Sequence, residues 1–299
     1  QLNVLAGEQP GIRVLHLLCH ALNSIGEEAY VYPTETHPAL NTPLVTPELI
    51  ERHKAAGREP IVVYPEVVPG NPRKAASVVR YVLNRAGLLG GDSVHAETEL
   101  IFGFGLNALP DGADPQNILF LPPIDTAIFN NRDNPDDHQR SGALLYPGRH
   151  QAALSQYPKL AAEATLITYS WPESHEALAS LLRRSEVVYC FESTAIAAEA
   201  ALCGCPAVIL PSPFFNGVAL SEAEIGRNGI ALNDSPEEVA FARSSVGKMW
   251  DAYQAAEARF WSQLDHFVAT TQAMPVSDVS GQPAETPAAA EARQTYAMW

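Results

Sequence analysis

One stretch, from Val187 to Leu210, limits the fold of this chain more than any other. It reads VVYCFESTAIAAEAALCGCPAVIL: an apolar run, a short polar turn, an alanine-rich run, a glycine, a proline and a second apolar run. That order is strand, cap, helix, stop, strand. Two neighbouring parallel strands need a crossover of about a dozen residues or more, most often a helix, so the stretch is expected to form a βαβ unit. A parallel sheet built from such units must be covered by helices on its faces.

The same alternation continues on both sides. In the first half, strands are expected at Asn3–Ala6, Ala29–Tyr32, Pro60–Pro65, Glu99–Phe102 and Ile118–Leu121. From Ile12 to Ile25 the apolar residues recur at spacings of three and four and Gly26 supplies a stop, which predicts a helix. Thr46-Pro47 opens a second helix as a cap followed by proline at the first helical position. Pro72–Leu83 is expected to be a third, with Val78, Val79, Val82 and Leu83 facing inward.

In the second half the expected strands are Ala143–Tyr146, Ala164–Thr168, Glu186–Phe191, Pro206–Leu210 and the shorter Gly229–Leu232. Helices are expected at 175–185 and 194–203, and one or two more from Pro236 to about Phe267. Residues 130–142, NNRDNPDDHQRSG, are polar and turn-rich, as a linker is. The pattern predicts two doubly wound, Rossmann-like α/β domains, 1–130 and 143–263, joined by a linker at 131–142. An Ala- and Pro-rich tail with the end of the last helix fills 264–299.

Composition narrows the function. The chain has 299 residues, 46% of them hydrophobic and 18% charged, with a formal net charge of −15. Residues 1–135 carry 9 basic and 15 acidic side chains, and residues 136–263 carry the same numbers. No half is a basic module, which argues against nucleic acid as a partner. Cys19, Cys190, Cys203 and Cys205 lie in apolar surroundings without paired C-x-x-C spacing, so buried thiols are expected. No apolar run is long enough for a membrane span, and no signal peptide is visible. The expected location is cytoplasmic, at most at the inner face of a membrane.

The run Glu199-Ala200-x-x-x-Gly204-x-Pro206-x-Val208 resembles the donor-site signature of GT-B glycosyltransferases, especially the family 4 type of bacterial capsule and O-antigen assembly. The pattern departs in one respect: six residues separate Glu192 from Glu199 where the family has seven. Gly11–Tyr30, Tyr64–Pro72 and Leu145-Tyr-Pro-Gly-Arg149 are similar to further segments of such enzymes. The resemblance implies a GT-B fold with an interdomain cleft and a nucleoside-diphosphate-sugar donor. It also implies a glycan or lipid-linked glycan acceptor, with no resident cofactor and no required metal. An additional domain or peripheral membrane association is compatible with it.

The resemblance also distributes roles. Glu199 takes the nucleotide ribose, Arg149 with the amides of Ser193 and Thr194 clamps the diphosphate, Glu192 lies near the sugar, and Tyr169, Ser170 and Trp171 hold the base. Read from local chemistry alone, Ser193 is equally a helix cap, Glu199 a solvated helix residue and Arg149 a surface arginine. Glu66, just past a strand, is a candidate base or acceptor ligand, or else a loop carboxylate that satisfies backbone amides. His20 is a second catalytic candidate. With His16 four residues before it, it has a spacing that can bind metal but lacks a third ligand, so helix packing is the simpler reading. Glu8, Asn71 and Arg73 are the acceptor-side candidates. Two other functions remain open on the sequence: a noncatalytic glycosyltransferase-like binding subunit and a nucleotide-sugar epimerase.

Overall fold

The computed structural model describes residues 10–275 apart from 33–35, 37, 133, 135–138, 214, 216 and 220. The expected strand Asn3–Ala6, Glu8, and most of the Ala/Pro-rich tail lie outside the described residues. The chain divides into two compact units. Among the described residues, the N-terminal unit comprises 11–121 and 259–275, and the C-terminal unit comprises chiefly Pro122–Ala258. Each is an α/β structure around a parallel sheet.

In the N-terminal unit, helix α1 (Pro10–Ser24) and helix α2 (Pro47–Ala55) precede the sheet. Thr46 caps α2, its side-chain oxygen accepting from the Leu49 amide at 3.2 Å. Three strands, β1 (Ile61–Pro65), β2 (Ser77–Val82) and β3 (Leu100–Gly103), lie in sequential order and parallel register. The helix expected over Pro72–Leu83 is therefore overturned, because its second half is the central strand. All six residues of β2 are buried. A run buried on every side carries no face-selective period, and SVVRYV is rich in the β-branched residues that suit a sheet. Two further expectations shrink to single bridges: Val31 pairs with Leu44, and Ile118 with Gly103.

The C-terminal unit is more regular. Its strands are β4 (Ala143–Tyr146), β5 (Thr165–Leu166), β6 (Val187–Cys190), β7 (Ala207–Ile209) and β8 (Ile230–Ala231), in the spatial order β5-β4-β6-β7-β8. Helices α3 (Pro158–Glu163), α4 (His175–Arg184), α5 (Ala195–Leu202), α6 (Glu222–Ile225) and α7 (Pro236–Ser245) connect them or follow them. The core includes Leu145, Phe191, Val208 and Ala231.

Helix α5 ends in a Schellman motif. Cys205 N–H donates to Ala200 O at 2.8 Å and Gly204 N–H to Ala201 O at 3.0 Å, with Gly204 at φ +74°. Arg140, from the stretch expected as a linker, binds the ends of α5 and α4: it donates to Cys203 O at 2.8 Å, to Leu182 O at 3.0 Å and to Asn131 Oδ1 at 2.8 Å. A Cβ on Gly204 would lie 2.6 Å from Arg140 Nη2, so the glycine also makes room for this cap. The boundary between the units accordingly falls at Leu121–Pro122, ahead of that stretch.

The last helix, α8 (Met249–Gln272), serves both units. Within the C-terminal unit, the Tyr253 hydroxyl accepts from Ile124 N–H at 2.8 Å. Within the N-terminal unit, Gln263 accepts from Phe120 N–H at 2.9 Å and Phe267 packs edge-on against Phe102. No helix among the described residues is long and apolar enough to cross a membrane. All four cysteines are free and buried, and burial pushes the Cys19 thiol up to about 11.

Candidate functional site

The strand order of the C-terminal sheet fixes where a ligand would sit. The chain leaves β4 for β5 on one side and then crosses to β6 on the other, so its direction reverses between β4 and β6. In open parallel sheets, ligands bind at the carboxyl ends of the strands flanking such a switch point. Tyr146 pairs with Cys190 in the β4–β6 register, so the two strands end level. The turn Pro147-Gly148-Arg149-His150 and the turn Phe191-Glu192-Ser193-Thr194 therefore emerge side by side.

Their side chains meet. Glu192 Oε1 accepts from Arg149 Nε at 3.1 Å, and Glu192 Oε2 lies 3.3 Å from His150 Nε2. Gly148 adopts φ +53°, and a Cβ there would sit 3.3 Å from Tyr146 Cε1 and 3.5 Å from Glu192 Oε1. The positive φ favours glycine at this turn, and an added Cβ would press chiefly on the Tyr146 ring. The Tyr146 ring stands edge-on to Tyr169 at 6.3 Å between centroids. Burial, then the neighbouring Tyr169 and Glu192, raise the Tyr146 phenol well above its usual range.

Beyond Glu192, Thr194 holds the N-cap position of α5 in extended geometry, and its side chain makes no capping hydrogen bond. The first-turn amides of a helix have no intrahelical acceptors, and with the helix dipole they favour an anion. Glu199 sits in the same helix and is buried at 6% exposure, so it is not the solvated face residue that local chemistry allowed. After β5, Thr168 and Trp171 form a bridge that closes Thr168–Trp171 into a tight turn. It presents Tyr169 at 69% and Trp171 at 42% exposure, with the Ser170 hydroxyl 3.4 Å from that of Thr168.

Arg149, Glu192 and Tyr169 thus converge around the ends of β4 to β6, and Ser193, Thr194 and Glu199 follow on the adjoining helix. His150 and Tyr146 belong to the same cluster and were not singled out from the sequence. The signal for His150 is its position after Gly-Arg, which only the β4–β6 register makes meaningful.

The N-terminal unit treats its candidates differently. Glu66 is buried at 3% exposure, and its Oε2 accepts from Leu83 N–H at 2.9 Å. Burial raises its carboxyl above the ordinary value, and bonds from the Leu83 and Asn84 amides oppose that rise. His20 Nδ1 accepts from Asn41 N–H at 2.9 Å. Asn71 exchanges hydrogen bonds with Ala75 at 3.0 and 2.8 Å and accepts from the Tyr64 hydroxyl at 3.3 Å. The Arg73 guanidinium lies 3.4 Å from the centroid of the Tyr32 ring, and its amide donates to the Tyr64 hydroxyl.

Below them Arg80, fully buried, makes a bidentate pair with Glu99 at 2.8 and 2.9 Å and donates to the carbonyls of Pro65, Val68 and Gly70. These side chains shape the loop after β1. Among the described residues no group of three or more His, Cys, Asp or Glu side chains could hold a metal ion.

No protein-family model matches the chain, and no curated protein does. Among solved structures it is similar to a "putative UDP-N-acetylglucosamine 2-epimerase from Listeria monocytogenes", with TM-score 0.44, 13% identity and coverage of 91% of this chain and 97% of that one. It is also similar to "Spinosyn Rhamnosyltransferase SpnG", with TM-score 0.40, 15% identity and 96% of each chain covered. A third structure, SpnG complexed with thymidine diphosphate, gives TM-score 0.39 at 15% identity, covering 88% of this chain and 97% of that one. Similarity of this degree assigns neither an activity nor a substrate.

Proposed function

We propose that the chain is a glycosyltransferase of the GT-B type that moves a sugar from a nucleoside-diphosphate donor to a glycan acceptor. The observation that carries this reading is the cluster of Arg149, His150 and Glu192 over Gly148, at the switch point of a parallel sheet and beside the N-terminus of α5. Transfer from such a donor needs the leaving diphosphate stabilised, and a guanidinium, a glycine turn and helix-end amides are groups that do this. Glu199, buried one helix turn and more beyond, accepts hydrogen bonds from ribose hydroxyls in this scheme. Tyr169 and Trp171 offer aromatic faces to the base. The finer reading, a family 4 type enzyme of capsule or lipopolysaccharide assembly that works without a metal or resident cofactor, rests on the sequence resemblance. The same holds for its location in the cytoplasm, at most at the inner face of a membrane.

A second reading, a noncatalytic nucleotide-binding subunit, is favoured by a specific observation. Both candidate bases are engaged by backbone amides, Glu66 by Leu83 and His20 by Asn41. Thermal-shift titration with UDP, GDP, CMP and TDP tests what the readings share. At least one nucleotide is expected to raise the melting temperature at millimolar concentration, and Glu199→Gln to weaken that nucleotide by roughly 5- to 30-fold. Absence of any shift removes both readings. Binding of a nucleotide without transfer from the corresponding nucleotide sugar to any acceptor tried, and without its hydrolysis by water, selects the second.

A further inference from the structure

We propose that Glu192 is an internal anion that occupies the phosphate position of the C-terminal unit until a ligand displaces it. The proposal rests on the diphosphate reading of this site and adds a competing group to it.

The Glu192 carboxylate lies against the side chains that a phosphate would need. Oε1 takes Arg149 Nε at 3.1 Å and Oε2 lies 3.3 Å from His150 Nε2. The carboxylate also lies beside the Gly148 turn, at an ordinary contact distance of 3.5 Å from where a Cβ would be. Exposure fits the same picture: the Glu192 side chain is 15% exposed, while Arg149 is 46% exposed. The acid is the inner member of the pair, and the guanidinium can pivot outward to meet a ligand.

Binding is then an exchange. Arg149 and His150 transfer from the carboxylate to phosphate oxygens, and the Glu192 side chain rotates away. No covalent bond changes. Tyr146 and Tyr169 flank the exchange, with Cys190 behind them at the end of β6.

Deleting the charge of Glu192 removes the competitor, so affinity should rise although a side chain of the site has been altered. Isothermal titration of the full chain with inorganic pyrophosphate, UDP, TDP and uridine would read this in the wild type, Glu192→Gln and Glu192→Ala. Expected is a tightening of pyrophosphate by roughly 5- to 30-fold in Glu192→Gln. A change in the same direction is expected in Glu192→Ala, with uridine unaffected. Melting temperatures confirm that each variant is folded, and the second variant carries the test if the first is not.

Unchanged or weaker pyrophosphate binding in the folded variants overturns the exchange, as does absence of binding in all three chains at millimolar concentration. Tightened pyrophosphate binding with UDP and TDP no better than pyrophosphate upholds the exchange and overturns the nucleotide reading.

Discussion

Glu66 shows how a single buried side chain sets a measurable property. Its carboxyl lies beneath the loop after β1 and is held above its ordinary value by burial, with amide hydrogen bonds pulling the other way. The folded chain therefore keeps this proton to a higher pH than the unfolded chain does. Its contribution to stability is complete below the unfolded value and is lost as pH rises through the folded one. Glu66→Gln cannot titrate and retains a carbonyl oxygen for Leu83 N–H. Denaturant midpoints taken from pH 4 to pH 7 should show the stability of the variant relative to wild type climbing with pH and then levelling. A flat difference would mean that the carboxyl is not shifted. The sequence presented this residue as either a base or a loop carboxylate, and the observed bonds are those of a loop carboxylate. Arg149 and Glu192 stood out from their positions beside strand ends, whereas the part played by His150 depends on a partner 42 residues away across two strands.

At the scale of elements, legibility followed punctuation. Gly142, Gly204, Pro206 and Gly229 bracket the strands of the C-terminal unit, and those strands were read close to their observed limits. Between β1, β2 and β3 the connections are loops without a helix, so no change of period marked where the central strand begins. The long connection from β2 to β3 is instead shaped by glycines, and Gly91 is the critical one. It has φ +73°, and a Cβ would fall 2.0 Å from Glu66 O and 2.9 Å from the backbone of Val67. A rigid carbonyl cannot yield as a flexible side chain does. Gly91→Ala combines a left-handed backbone with this collision, and it should cost more than about 1 kcal/mol. Gly57→Ala is the matched control, with φ +65° and nothing within 4 Å of the added Cβ. Thermal unfolding of the pair separates the collision from the backbone penalty, and equal losses would show that the loop moves freely away from β1.

The whole molecule carries a net charge of −15, with −6 in each of residues 1–135 and 136–263, yet the proposed ligand is an anion. The division of the chain into units could not be read so simply, because α8 is one continuous helix whose residues up to Ala258 belong to one unit and from Arg259 to the other. Charge placement was readable, and it has a consequence for binding. In the proposed mode of binding, attraction to a diphosphate comes from a few groups in contact with it, chiefly Arg149 and the amides that begin α5, while the distant carboxylates repel. At an ionic strength of ~0.15 M the screening length is about 8 Å, so salt suppresses the distant repulsion while weakening the contact attraction only in part. The two changes oppose each other. Pyrophosphate affinity measured between low and physiological salt should therefore vary by less than about threefold, whereas a basic binding face would lose far more. The comparison is sharpest in Glu192→Gln, where the competing carboxylate is gone and only the contact attraction and the distant repulsion remain to be screened. A steep loss of affinity with salt in both chains would mean that a clustered cationic surface, not the turn at Gly148, captures the anion.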